Sequence, residues 1–335
     1  MPNPTIVFPK ARDVAIEDRE IPKPGEGQIL IRSTRTLIST GTELTIMSGE
    51  FPEGSDWAAY GKFPFTAGYS NAGEVVEVGE GVDEHWKGVH VTLPAHHAAY
   101  VVSRPGSVAR VPETVEDKAA CFSTLGIIVM NGIRQGYVTW GESIVIYGAG
   151  LIGQLAARFS LIAGARPVIN VDVVESRQNL LPDGVHRVNP ANEDPVEVVR
   201  RLTHDRMADA VYEATGNPAV LPEEFKVLRR QGRAVILSSP RGPSTFDFHD
   251  LCNAPSYTII GAHNSSHPPE GVRELPWSMK RHTELFLDFL ADGSLDVEPL
   301  VSHRVPYSEG PDAYRMLLED RSNAMGVVIN WDDAP

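Results

Sequence analysis

One stretch near the middle of the chain constrains its fold more than any other: Ser143-Ile144-Val145-Ile146-Tyr147-Gly148-Ala149-Gly150-Leu151-Ile152-Gly153-Gln154-Leu155-Ala156. It reads as a short apolar strand, a glycine turn and the start of a helix. The glycines fall as G-x-G-x-x-G. Gly148 serves the tight turn, Gly150 lets backbone approach a pyrophosphate, and Gly153 lets the helix pack closely on the strand. The N–H groups opening the helix, at Gly150, Leu151, Ile152 and Gly153, together with the positive end of its dipole, suit phosphate. The triplet alone is weak; its place between strand and helix gives it force. A second apolar run, Pro167 to Val171, ends in Asp172, where an acidic side chain would accept the ribose hydroxyls of adenosine. Asp172 would repel a 2′-phosphate, so the expected cofactor is NAD. Arg177 is the nearby residue that would accommodate that phosphate instead.

A chain of 335 residues exceeds what one core comfortably supports and implies two domains. A net charge of −14 argues against nucleic acid and against anionic lipid as partners. No apolar run of about 20 residues occurs, so no membrane span is expected. Met1-Pro2-Asn3-Pro4-Thr5 lacks a charged segment followed by an apolar one, so no secretion signal is expected either. Cys121 and Cys252 are the only cysteines, which suits a reducing cytoplasm better than a disulfide scaffold.

The first 110 or so residues carry short alternating runs, among them 28–33, 76–78, 89–94 and 99–102, separated by glycine-rich turns; this predicts a β-rich, barrel-like domain. The period changes over 116–137, which suits packed helix. From 143 to about 262, strands near 143–147, 167–171, 209–213, 233–237 and 257–260 alternate with helix-length spacers. That pattern predicts an α/β doubly wound parallel sheet. A helix is expected over Lys280 to Leu290, and the tail from 299 should rejoin the first domain.

This order of segments resembles the medium-chain dehydrogenase/reductase superfamily, the fold of the zinc alcohol dehydrogenases. The matching points are Gly41-Thr42-Glu43, Gly68 to Gly73 with the following Val-Glu-x-Val-Gly, the glycine motif with Asp172, and Glu213-Ala214-Thr215-Gly216. The resemblance implies a GroES-like catalytic domain over 1–133, a Rossmann NAD-binding domain over 134–298, and a return to the first domain over 299–335. It places Gly216, Ser238, Ser239 and His263 near the nicotinamide. It also implies a homodimer or homotetramer, paired through the strand near 257–260.

The metal chemistry of the family is where the resemblance breaks. Thr40 stands where metal-dependent members carry a cysteine, Tyr69 and Ser70 stand for a His-Glu pair, and Ala120, beside Cys121, falls at the third ligand. The four-cysteine structural lobe is missing. The expected metal is therefore none, with His96, His97, Glu43 and Cys121 as an alternative donor set. The shared Ser39-Thr40-Gly41-Thr42-Glu43 and Gly-Tyr-x-x-x-Gly resemble a zinc-lacking branch that includes a bacteriochlorophyllide hydroxyethyl dehydrogenase and sugar and cyclitol dehydrogenases. Proton handling then falls to side chains. The candidates are Tyr69, provided its phenol pKa is lowered, Thr42 as a relay, His96 as a base, and Glu43, whose alternative reading is a carboxylate that only supports the site. The expected substrate is a small polar secondary alcohol. The alternatives are an NADPH-dependent reductase of enones or quinones and a catalytically silent NAD sensor.

Overall fold

The computed structural model describes residues 2–268, 270–273 and 275–335. The chain forms two compact units: residues up to Leu125 together with those from Pro268 onward, and Gly126–His267. These divisions fall earlier than the 133/134 and 298/299 boundaries expected from sequence. The helix Met279–Ala291 lies within the second displaced segment: it packs in the first unit, beside the strand Ala109–Arg110. Its continuity in sequence with the nucleotide region gave no sign of this. No helix among the described residues is long and apolar enough to cross a membrane.

The second unit is built on a six-stranded sheet. Its spatial order is Val185–Val188, Val168–Val171, Ile144–Tyr147, Ala208–Glu213, Leu228–Ile236, Thr258–Gly261. Every pairing is parallel. Counted along the chain, the order is 3-2-1-4-5-6, the doubly wound arrangement whose switch point lies between the first and fourth strands. Strands covered on both faces are largely apolar, and Ile144–Tyr147 and Val168–Val171 are buried at every position. Val145, Ile169, Val211 and Phe225 anchor the core. Each such burial contributes about 1.5–3 kcal/mol. The helix Leu151–Ile162 presents Gly153, Ala156 and Ala157 to the sheet, and those small residues allow close packing.

The first unit contains a seven-stranded sheet and a three-stranded sheet. The long strand Ile29–Ile38 pairs antiparallel with Asn71–Val78 on one side and with the C-terminal strand Gly326–Asn330 on the other. Trp331 fixes that return by donating its indole N–H to Thr36 Oγ1 at 2.9 Å. The chain end thereby brings the helix Gly310–Glu319 against the short helix Thr42–Ser48. Phe8, Ile46, Tyr314 and Val327 form the core between them, with Phe8 and Tyr314 in an edge-to-face contact at 5.1 Å.

Candidate functional site

In the second unit the parallel register lines up the strand ends. Tyr147 sits opposite Val171 and Glu213, and Glu213 sits opposite Ile236. Gly148, Asp172, Gly216 and Ser238 therefore emerge at one end of the sheet, on either side of the switch point. Gly148 has φ +101, a conformation that side chains resist, and a Cβ there would lie 2.8 Å from Ala214 O. A Cβ on Gly153 would lie 1.9 Å from Gly148 O. Gly150 differs: nothing lies within 4 Å of where its Cβ would stand, and it caps the helix that opens with Leu151 and Ile152. The first N–H groups of a helix have no partner inside it and favour an anion.

Asp172 ties this turn together. Its Oδ2 accepts the Ala149 N–H at 2.6 Å and its Oδ1 accepts the Val174 N–H at 2.7 Å. A carboxylate has about four lone-pair sites, so acceptor capacity remains for ribose hydroxyls. Arg177 meets the glycine helix through its backbone, its carbonyl accepting Gln154 Nε2 at 2.7 Å. Sequence reasoning missed Asn170, a buried amide that donates to Gly148 O at 2.8 Å. A polar residue inside an otherwise apolar strand was the available signal.

Glu213 organises the neighbouring loop. Its Oε1 accepts the N–H groups of Thr215 and Gly216, at 2.7 and 2.8 Å, and the Thr215 hydroxyl at 2.7 Å. Its Oε2 accepts the Ser238 hydroxyl. The Ser238 hydroxyl is thus taken up in shaping the loop, whereas Ser239 is exposed. Gly216, at φ +69, makes the turn possible. The His263 ring caps its own short turn: Nδ1 accepts the Ser265 N–H at 3.3 Å and bonds the Ser265 hydroxyl at 2.7 Å. Its carbonyl accepts Asn131 Nδ2 at 3.3 Å.

In the first unit, the strand Ile29–Ile38 ends in Ser39-Thr40-Gly41, and the helix Thr42–Ser48 follows at once. Across from it, Gly68 at φ +96 packs so closely on His97 that a Cβ would lie 2.5 Å from His97 N. Tyr69 projects from this junction. Its hydroxyl bonds the Ser39 hydroxyl and lies 3.2 Å from Thr42 Oγ1. Burial pushes the Tyr69 pKa up to about 12, a rise that its hydrogen bonds to Ser39 and Thr42 only partly offset. The expected condition for a phenolate base, a lowered pKa, is therefore reversed. At neutral pH the Tyr69 phenol stays protonated.

His96 has an exposed side chain whose Nδ1–H donates to Gly68 O at 3.1 Å. Because a carbonyl can only accept, this bond fixes the tautomer and leaves Nε2 as the basic nitrogen. Partial desolvation of the ring holds its pKa below the ordinary value of 6.5. His97 has the opposite setting: fully buried, it bonds Glu43 Oε2 through Nε2 at 3.1 Å. Glu43, 1% exposed, also accepts the Ser39 N–H at 2.8 Å and the hydroxyl of Tyr314. Tyr314 had no sequence signal.

The alternative donor set of His96, His97, Glu43 and Cys121 does not come together. His97 and Glu43 bond each other, while the buried Cys121 thiol donates to Lys118 O at 3.3 Å. Burial raises that thiol's pKa, which disfavours the thiolate a metal needs. The Ala120 carbonyl accepts the Thr92 hydroxyl at 3.1 Å. Among the described residues, no three His, Cys, Asp or Glu side chains group as metal ligands.

Comparison with known proteins accords with this architecture. Residues 25–148 match the alcohol dehydrogenase GroES-like domain family, and residues 152–278 match the zinc-binding dehydrogenase family. The chain is 26% identical to L-threonine 3-dehydrogenase of Pyrococcus furiosus over 92% of each chain. Among solved structures, a dehydrogenase of Sinorhizobium meliloti 1021 bound to NADP superposes with a TM-score of 0.83 at 18% identity, covering 99% of this chain and 100% of that one. An alcohol dehydrogenase of Escherichia coli CFT073, complexed with NADH, gives 0.82 at 19% identity, covering 98% and 99%. With both consecutive family matches and a relative aligned along nearly its whole length, the chain belongs to the medium-chain dehydrogenase/reductase superfamily of NAD(P)-dependent oxidoreductases.

Proposed function

We propose that this chain oxidises a polar secondary alcohol, or reduces the matching ketone, with NAD as hydride carrier and without zinc. The observation that carries the reading is the hydroxyl cluster of Tyr69, Ser39 and Thr42, in which Tyr69 occupies, by the resemblance, the position of a metal-binding histidine, with Thr40 next to Ser39 at that of a cysteine. A zinc site takes thiolate, imidazole or carboxylate donors. Threonine, a phenol with a pKa of about 12 and the methyl of Ala120 supply none of these. The residues do not fit the metal, and no step passes through it.

The residues do fit a dinucleotide. The open flank of Gly150 and the helix start at Leu151 and Ile152 would hold the pyrophosphate, and Asp172 would accept the ribose hydroxyls. NAD, when bound, supplies the hydride acceptor. The chain's own residues do the rest. Tyr69, held in its protonated form, donates to the substrate oxygen and orients it. Thr42 steadies the Tyr69 hydroxyl. His96 Nε2 takes the proton released by the alcohol and, in the reverse direction, returns it to the ketone.

The test uses the purified protein, metal analysis and a panel of L-threonine, 2,3-butanediol, sorbitol and myo-inositol. L-Threonine is included because the P. furiosus relative is named for it. The expected result is NADH formation on at least one alcohol, undiminished by a chelator, with far less than one zinc per chain. Stoichiometric zinc, NADPH-dependent enone reduction with no alcohol oxidation, or NAD binding without turnover would each sink the reading. In the same assay, Asp172→Ser is expected to weaken NAD by about 10- to 100-fold, the worth of charge-assisted hydrogen bonds, and to improve NADP relative to NAD. An unchanged NAD/NADP ratio counts against the role given to Asp172.

We further propose a homodimer. The strand Thr258–Gly261 lies at the edge of its sheet and leaves Thr258 and Ile259 exposed, Ile259 by 42%. An open edge is a template for pairing, and a second copy of the same strand would cover it across a two-fold axis. Light scattering should show a dimer, and Ile259→Asp should shift it toward monomer; a monomeric parent protein ends this proposal.

A further inference from the structure

The buried carboxylate of Glu43 holds Ser39 from two directions. Its N–H donates to Ser39 O at 3.0 Å, and its Oε1 accepts the Ser39 N–H at 2.8 Å. Where the carboxylate sits therefore decides where Ser39 sits, and the Ser39 hydroxyl is a partner of the Tyr69 phenol. The far oxygen, Oε2, is gripped by two groups from distant parts of the chain: the Tyr314 hydroxyl and His97 Nε2. Glu43, Tyr314 and His97 are 1%, 0% and 0% exposed, so water does not compete for these bonds. His97 Nδ1 has no hydrogen-bond partner. Among the described residues, the one polar contact of the His97 ring is therefore the bond from Nε2 to Glu43.

We propose that Tyr314 is a positioning residue for the Tyr69 hydroxyl: with His97 it fixes the Glu43 carboxylate, which fixes Ser39, which aims Tyr69. Neither Tyr314 nor His97 touches substrate or cofactor in this scheme. The catalytic use of Tyr69 rests on the function proposed above, but the mechanical coupling does not. Truncating Tyr314 to phenylalanine keeps its ring in the core against Phe8 and removes only the hydroxyl. The carboxylate then loses one of its clamps, Ser39 relaxes, and the Tyr69 hydroxyl loses its fixed partner.

The test is NMR of the full-length protein carrying 13Cζ-tyrosine, with the Tyr69 resonance assigned from Tyr69→Phe. Ser39→Ala calibrates the shift that follows loss of the Ser39 hydroxyl. In Tyr314→Phe, the Tyr69 resonance is expected to move in the same direction and by a comparable amount, while NADH affinity stays within twofold of the parent. A Tyr69 resonance left in its original place overturns the inference, even if the variant is less stable, because a purely packing role for Tyr314 predicts that result. Should Tyr314→Phe fail to fold, Glu43→Gln removes the charge with little change of shape and reads the same coupling by the same criterion. Movement of the resonance together with full turnover by Tyr69→Phe would leave the positioning intact and sink the proposed function; the opposite pair of results would do the reverse.

Discussion

His96→Ala is expected to lower kcat for alcohol oxidation by about 10²- to 10⁴-fold, the usual worth of a positioned general base, with little change in NADH affinity. The bond from its Nδ1–H to Gly68 O leaves Nε2 as the site that accepts the proton. Only the neutral ring can do so, and its pKa lies below the ordinary 6.5 because the ring is partly desolvated. Oxidation should therefore be flat across neutral pH and fall as pH drops through that depressed value. Ketone reduction needs the protonated ring and should rise over the same interval. Tyr69, with a pKa of about 12, adds no break near neutrality and should remain a donor throughout. Tyr69→Phe should cost on the order of 10²-fold, comparable to losing one donor that steadies a reacting oxygen. The discriminating measurement is the pH profile of kcat/KM. If the acid limb survives unchanged in His96→Ala, another group is the base.

The parts of this molecule legible in the sequence are those set by local backbone needs. A strand, a turn that demands positive φ at Gly148, a close approach at Gly153 and an acid at the end of the next strand all lie within one continuous stretch of chain. Each leaves its mark on the residue type at a fixed offset. Gly68 is legible in the same way, because only a residue without Cβ can press against His97. The strand Val185–Val188 was not legible: His186 and Arg187 are exposed at the sheet edge, and so short and polar a run reads as a loop. The helix Thr42–Ser48 was missed because its hydroxyl-rich first turn suits a loop equally well.

The least legible feature is the Glu43 cluster. Glu43 and Tyr314 are 271 positions apart, and they meet only because the C-terminal strand pairs with Ile29–Ile38 and carries the helix Gly310–Glu319 with it. Nothing in the helix pattern separates a tyrosine that fills a core from one whose hydroxyl clamps a carboxylate. The same limit applied to Ser238. Its place after an apolar strand was visible, but its use by Glu213 depends on a neighbouring strand in exact register. Tyr69 shows a further limit. Its position was readable, but the sign of its pKa shift depends on how deeply the fold buries the phenol.

Gly153→Ala should damage both stability and cofactor binding, whereas Gly150→Ala should damage binding alone. The two glycines are three residues apart in one motif, yet their surroundings differ. A methyl on Gly153 would lie 1.9 Å from Gly148 O and 2.8 Å from Gly148 C, both backbone atoms that no rotamer change can move. Relief requires the helix Leu151–Ile162 to shift away from its strand. Overpacking of this kind costs about 1–3 kcal/mol or more, which lowers Tm by about 1–4 °C or more in a chain of this size. The shift also carries the helix N–H groups away from the pyrophosphate, so NADH affinity should fall by at least about 10²-fold, or roughly 2.8 kcal/mol. Gly150 is different because it has φ −70 and ψ −177, a conformation any residue adopts, and open space beside it. Alanine there should leave Tm unchanged or raise it slightly, since replacing glycine at a compatible position stabilises by about 0.4–1 kcal/mol through the unfolded state. The added methyl would occupy the side from which the phosphates approach, so NADH should weaken by about tenfold or more, near 1.4 kcal/mol. Thermal melts and NADH fluorescence titrations on both variants separate the two roles. Parent-like NADH affinity in Gly150→Ala would mean that the cofactor does not lie against this turn, and the assignment of the glycine motif to dinucleotide binding would fall with it.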